Sequence, residues 1–286
     1  MSLRFLIVEG NTRETREAYR AALGATPAES YGRLMASLAS GAHFDILHAA
    51  DADGTLPKGS RFSDYDAAIL TGSALHLWQR EPESLRQVEA AREIFRANIP
   101  FFGSCWGLQV ATVAAGGDVH RNPRGREFGF ARRIMPNPAG MAHPLLEGRG
   151  CVFDAPCTHL DEVARLPKDS TLLASNAISQ VQAAEIRHEG GTFWGVQYHP
   201  EFSFSTLAYL IERRTANLIE EGFLADEIQA QTMAADLRQL DREPTSRQIA
   251  WRHGLERDVT DTVERVTELR NFLEARVKPH AIARAA

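Results

Sequence analysis

Short apolar runs alternate with helix-spaced apolar residues along the first two-thirds of the chain. Leu3 to Val8 reads as a buried strand, and Arg13 to Leu23 as the helix after it. Phe44 to Leu47 is a second strand. Asp66-Ala67-Ala68-Ile69-Leu70 is a third and runs out into Thr71-Gly72-Ser73. Leu85, Val88, Ala91, Ile94 and Phe95 recur at helical spacing, and Asn98-Ile99-Pro100 closes that helix. Phe101-Phe102 leads as a short strand into Gly103, and the helix Leu108 to Ala115 stops at Gly116-Gly117. Strands separated by helices of this length pair in parallel through right-handed crossovers. The pattern predicts an α/β fold, flavodoxin-like, with a mixed but mostly parallel sheet flanked by helices.

Residues 118–200 change character. Pro and Gly become frequent, and the strands read as short and more antiparallel, Thr192 to Tyr198 most clearly. From Phe204 the chain turns helical. Leu207, Leu210, Ile211 and Leu218 form one apolar stripe; Val259, Val263, Val266, Leu269 and Phe272 form another, predicting a helix over Thr260 to Arg276. The expected division is a main domain over residues 1–205 and a helical C-terminal extension over 206–286. That extension packs its apolar face on the main domain, or serves as a dimerisation or docking element through the same stripe.

The chain has 286 residues, enough for one large domain or two small ones. With 32 basic against 37 acidic side chains the formal net charge is −5, which disfavours general attraction to nucleic acid or an anionic membrane surface. Three cysteines are too few and odd in number for a disulfide framework. The apolar start is too short for a signal-peptide core, and no run reaches a membrane span. The expected location is the cytoplasm.

Candidate chemistry begins at Gly103-Ser104-Cys105-Trp106-Gly107, a Gly-x-nucleophile-x-Gly sequence with a strand before it and a helix after it. Such a turn holds a thiol above the carboxyl edge of the sheet, near the positive end of a helix that favours thiolate. The Trp106 N–H points towards an oxyanion formed there. Without that context Cys105 would read as a buried structural cysteine, as Cys151 and Cys157 do. His199 is the candidate base. It ends a strand, Pro200 biases it towards an extended backbone, and Glu201 at i+2 shares its face and can orient the imidazole. The loop after the Asp66–Leu70 strand is small enough to offer a second oxyanion donor, from Gly72 or Ser73, but taken on its own it reads as a plain turn.

These pieces, in this chain order, resemble the class I glutamine amidotransferases: Ile69-Leu70-Thr71-Gly72-Ser73, Gly103 to Gln109, and Gly195-Val196-Gln197-Tyr198-His199-Pro200-Glu201. Gly116-Gly117-Asp118-Val119 with Glu127-Phe128-Gly129 is similar to the family's segment after the nucleophile helix. Thr158-His159-Leu160-Asp161-Glu162-Val163 resembles the His-x-Asp-x-Val block of amidotransferase domains like that of GMP synthetase. The resemblance implies hydrolysis of the glutamine side-chain amide. Cys105 forms a γ-glutamyl thioester and releases ammonia, His199 shuttles the proton, and Glu201 orients it. The N–H groups of Trp106 and Ser73, with Gly72, stabilise the oxyanion; Gln109 and His159 face the substrate. It implies no metal and no organic cofactor. The intact Cys-His-Glu set argues against a non-catalytic homologue.

Members joined to a synthetase often show Gly-Gly-Pro where this chain has Gly72-Ser73-Ala74. The Gly-Ser form resembles plant-type γ-glutamyl peptidases, which cleave γ-glutamyl conjugates, and this is the alternative reading. From Ser203 onward no phosphate-cradling loop occurs. Any ammonia-using step is therefore expected on a separate synthase.

Overall fold

The computed structural model describes residues 2–285. The first apolar run forms strand β1 (Arg4–Val8), and the amphipathic stretch after it helix α1 (Arg13–Leu23). Next comes α2 (Pro27–Leu38), a helix the apolar pattern did not set apart. Thr26 starts it through a reciprocal cap: its hydroxyl accepts from the Glu29 N–H at 3.2 Å, and the Glu29 carboxylate accepts from the Thr26 N–H at 2.9 Å. The chain continues through β2 (His43–Leu47), β3 (Ala67–Leu70), α3 (Pro82–Ala97), β4 (Phe101–Ser104) and α4 (Trp106–Ala114).

The central region supplies β5 (Asp118–Arg121), β6 (Glu127–Pro136), the one-turn α5 (Pro138–Met141), β7 (Phe153–His159), β8 (Asp161–Arg165), β9 (Ser170–Ser175), β10 (Ala183–His188) and β11 (Gly191–Val196). Two long helices follow, α6 (Phe204–Glu220) and α7 (Glu227–Arg242).

Nine strands form one sheet in the order β2-β1-β3-β4-β11-β10-β9-β6-β7. The first five are parallel and the last four antiparallel to their neighbours. β5 and β8 make a separate antiparallel pair. The period of two along each strand sorts the core into layers. Phe5, Ile7, Ile69, Phe102 and Trp194 face one side, where Tyr31 and Met35 of α2 meet Leu269, Phe272 and Leu273 from the chain's last part. Leu6, Val8, Leu70, Phe101 and Phe193 face the other side, under α3 and α4. Each such large apolar side chain, once buried, contributes about 1.5–3 kcal/mol.

The expectation of one continuous helix from Thr260 to Arg276 is corrected. The segment is a chain of short helices, Arg257–Thr260, Thr262–Arg265 and Thr267–Phe272, then a π-helical turn at Leu273–Val277 and a last helix, Lys278–Ala285. Asp261 is the physical reason. Its backbone is extended, and its carboxylate accepts from the N–H groups of Val263 (2.8 Å) and Glu264 (3.2 Å), ending one helix and starting the next. The break turns Val263 outwards, to 56 % exposure, while Val259, Val266, Leu269 and Phe272 stay buried within the chain.

α6 and α7 pack on each other around a third cluster that includes Leu207, Leu218, Leu237 and Leu240. Tyr209 of α6 meets Tyr19 of α1 edge to face, with ring centroids 5.0 Å apart. The parallel strands β1, β3, β4 and β11 all point one way, so the segments after them converge at one edge of the sheet, the usual place for a site in such folds.

Candidate active site

Cys105 joins β4 to α4 with φ +52° and ψ −103°, a conformation that side-chain-bearing residues seldom adopt. The turn closes because its glycines leave no bulk. A Cβ on Gly103 would lie 2.8 Å from the Gly107 Cα, and one on Gly107 would lie 2.5 Å from the Leu70 carbonyl oxygen. The Cys105 N–H is fixed by the Val196 carbonyl at 2.8 Å, and its thiol donates to the Thr158 carbonyl at 3.7 Å.

His199 follows β11, the strand beside β4. Its backbone N–H donates to the Pro156 carbonyl at 2.7 Å, and its ring Nδ1 lies 2.7 Å from Glu201 Oε1. With Nδ1 so engaged, Nε2 is the nitrogen left to exchange a proton. The ring is buried, which acts to lower its pKa. The negative charges of Glu201 and Cys105 outweigh burial and hold the imidazole above its ordinary value. The structure thus brings Cys105, His199 and Glu201 together from two adjacent strand ends.

Two supports of this group are new. Ser104 Oγ donates to Glu201 Oε1 at 2.8 Å, so the residue before the cysteine fixes the carboxylate that holds the imidazole. Phe202 stacks on the His199 ring with centroids 3.7 Å apart and planes 9° from parallel. Both lie inside or beside the motifs read from the sequence, and the signal for Ser104 was its place in the elbow itself.

The loop after β3 closes the opposite wall. A Cβ on Gly72 would meet His199 Cε1 at 2.6 Å, so only glycine lets the imidazole lie against this strand end. Gly72→Ala is expected to displace the ring and lower kcat about 100-fold or more while the protein stays folded, as checked by steady-state rates beside circular dichroism. An alanine variant with full activity would show that the loop yields freely. Ser73 Oγ accepts from the Leu75 N–H at 3.2 Å. Further along, the Asp161 carboxylate pins the loop, 2.7 Å from His76 Nδ1 and 3.2 Å from the Trp78 indole N–H that it accepts. Trp106 is buried and its indole N–H donates to Gln87 Oε1 at 2.7 Å, seating the start of α4.

Gln109 and His159 both line the space beside Cys105, with side chains already engaged. Gln109 Nε2 donates to the Asp161 carbonyl (3.1 Å) and to Gln197 Oε1 (3.3 Å). His159 places Nδ1 2.9 Å from the Asp161 carbonyl and Nε2 2.9 Å from Glu127 Oε2. Cys157 is fully buried, and burial pushes its thiol pKa well up, away from the reactive form; the expectation of a buried cysteine at position 151 is corrected, since Cys151 lies exposed in the bend before β7. Among the described residues no three His, Cys, Asp or Glu side chains are grouped to hold a metal ion, and no helix is long and apolar enough to cross a membrane.

Two clefts meet here. Cys105, Gln109 and Arg126 line one; His199, Glu201, Tyr19, Tyr31, Phe202 and Leu210 line the other. Ser73, Ala74, Thr158 and Arg214 border both.

The model of the glutamine amidotransferase class-I family matches residues 50–216. The chain belongs to the glutamine amidotransferase class-I family and so falls among enzymes that hydrolyse amides. It is 37% identical over 225 residues to a gamma-glutamyl-L-1-hydroxyisopropylamide hydrolase of a Pseudomonas species, an alignment covering 77% of this chain and 75% of that protein. It is 32% identical over 140 residues to the glutamine-hydrolysing GMP synthase of Thermosipho africanus, covering 49% of this chain and only 25% of that protein. Among solved structures, a glutamine amidotransferase from Thermotoga maritima superposes with a TM-score of 0.65 at 16% identity, over 97% of this chain and 99% of that one, a likeness of fold.

Proposed function

We propose that Cys105, His199 and Glu201 hydrolyse the side-chain amide of a γ-glutamyl compound. The observation that carries this reading is the strained Cys105 turn on β4 set beside the buried His199–Glu201 pair after β11. The Cys105 thiolate attacks the γ-carbonyl carbon, and the oxyanion is held by the N–H groups of Trp106 and Ser73 beside Gly72. The tetrahedral adduct collapses, the C–N bond breaks, and the nitrogen departs with the proton His199 supplies, leaving a γ-glutamyl thioester. His199 then takes a proton from water, whose oxygen attacks the thioester to release glutamate and restore the thiolate. Glu201 keeps the ring oriented throughout.

N-substituted γ-glutamyl amides are the favoured substrates over glutamine. Because His199 protonates the departing nitrogen, the substituent on that nitrogen must lie on the His199 side, where the second cleft offers the apolar walls of Tyr19, Phe202 and Leu210. The relative aligned over three-quarters of both chains carries a γ-glutamyl alkylamide in its name. Supply of ammonia to a separate synthase is the second reading, favoured by the likeness to part of GMP synthase. Three free thiols suit a reducing compartment such as the cytoplasm.

The test is a panel of glutamine and γ-glutamyl methyl-, propyl- and benzylamides, with free glutamate measured. The propyl- or benzylamide is expected to exceed glutamine in kcat/KM by about tenfold or more. Vigorous glutaminase activity with inert substituted amides would instead favour the ammonia-supplying reading. Inertness towards the whole panel would sink the proposal.

A further inference from the structure

A γ-linked amide leaves the α-carboxylate of its glutamyl group free, and a carboxylate entering a cleft loses hydration that some donor must replace. Around Cys105 most cationic or donor side chains are committed. Arg126 is forked onto the Glu221 carboxylate at 2.7 and 3.1 Å. His76 is held by Asp161, and both ring nitrogens of His159 have partners.

Arg214 is different. It projects from α6 at the border where the two clefts meet, is half-buried, and has no hydrogen-bond, ion-pair or aromatic partner among the described residues. The helix that carries it is fixed by the buried Leu207, Leu210 and Ile211, so its stem starts from a rigid base. Burial, then the like charges of Arg126 and Arg213, lower its pKa, while the Cys105 thiolate acts to raise it. An additional anion at this point would relieve the crowding of positive charge.

Resting on the γ-glutamyl reading above, we infer that Arg214 binds the free α-carboxylate of the substrate and so makes a helix of the C-terminal half part of the specificity site. The guanidinium fork matches a carboxylate through two parallel hydrogen bonds. The carboxylate stands only a few bonds from the reacting carbonyl, so a cation bordering the Cys105 cleft is suitably near. Arg214 would then set which acyl group is accepted, while the second cleft sets which amine departs.

Two chromogenic substrates test this: γ-glutamyl p-nitroanilide and its decarboxylated counterpart, 4-aminobutanoyl p-nitroanilide. Arg214→Ala is expected to lower kcat/KM for the γ-glutamyl compound about 100-fold, chiefly through KM, and Arg214→Lys to recover part of the loss. The wild-type preference for the carboxylate-bearing compound should shrink in Arg214→Ala to within about threefold. Arg214→Gln, closer in shape, serves if the alanine variant fails to fold. A preference that persists in the variants, or an equal loss of kcat on both substrates, would overturn the assignment. So would a loss confined to substrates that carry a carboxylate on the departing amine, tested with γ-glutamylglycine. A wild-type enzyme inert to every γ-glutamyl compound would refute the underlying reading instead.

Discussion

Cys105→Ala should reduce turnover of any γ-glutamyl amide by at least about 10⁴-fold while leaving the fold intact, because the proposed covalent route has no nucleophile without this thiol. Alanine keeps the Cβ, so the unusual backbone at φ +52° is neither relieved nor worsened. Cys105→Ser should also be severely slowed, since a neutral hydroxyl is a far weaker nucleophile than a thiolate near neutral pH. The same variant carries a second readout. The charge of Cys105 is one of the influences that hold His199 above its ordinary pKa, so deleting it must let the imidazole titrate at lower pH. Side-chain NMR titration of His199 in wild type and Cys105→Ala would measure that fall. Retained activity would remove the assignment of nucleophile. An unmoved imidazole would show that thiol and ring do not share a charge, whatever the rates.

The site was legible because its chemistry forces local sequence. The crowded turn at Cys105 needs Gly103 and Gly107, the imidazole needs Gly72 behind it, and an orienting carboxylate two residues from His199 needs an extended backbone. The first and last demands are met within a few residues, and Gly72 meets His199 from the short Thr71-Gly72-Ser73 segment, so each leaves a motif. Supports that come from farther along the chain leave no local sign of what they hold, even where, as at Asp161, the residue stands inside a motif of its own. Asp161 anchors the loop after β3 across 83 positions of sequence at Trp78, and Arg214 enters from α6 beside an ordinary apolar stripe.

The same division holds for the fold. The alternating faces of β1, β3, β4 and β11 follow directly from apolar runs. Helix α2 does not stand out in the sequence because Gly32 interrupts its apolar pattern. That glycine is required because a Cβ there would lie 2.5 Å from the Phe44 ring of β2, a contact between elements rather than within one. The broken helices after Arg257 depart from the apolar pattern for a local reason instead. The apolar spacing continued through Asp261, and a capping carboxylate outranked it.

Glu268→Ala should be the most damaging single change to stability away from the reacting groups, by about 3–5 kcal/mol. The carboxylate is fully buried beneath the short helices of the C-terminal part. Its two oxygens accept from Arg149 Nε and Nη2 at 2.8 Å each, and Oε1 also accepts from the Tyr198 hydroxyl at 2.8 Å. Removing it strands a buried guanidinium that keeps the Arg265 carbonyl and the face of the Phe153 ring but no carboxylate, and leaves a buried phenol without an acceptor. Tyr198 immediately precedes His199, so the loss should reach the site as a lower kcat as well as a melting temperature depressed by roughly 10 °C. Glu268→Gln keeps an acceptor for Tyr198 but not the charge, and should fall between. The paired replacement Glu268→Leu with Arg149→Met should recover much of the stability, because no buried charge is then left alone. Chemical denaturation of the three variants separates these terms. A Glu268→Ala protein within about 1 kcal/mol of wild type would mean that water reaches Arg149 and that the C-terminal helices are not locked to the sheet at this point.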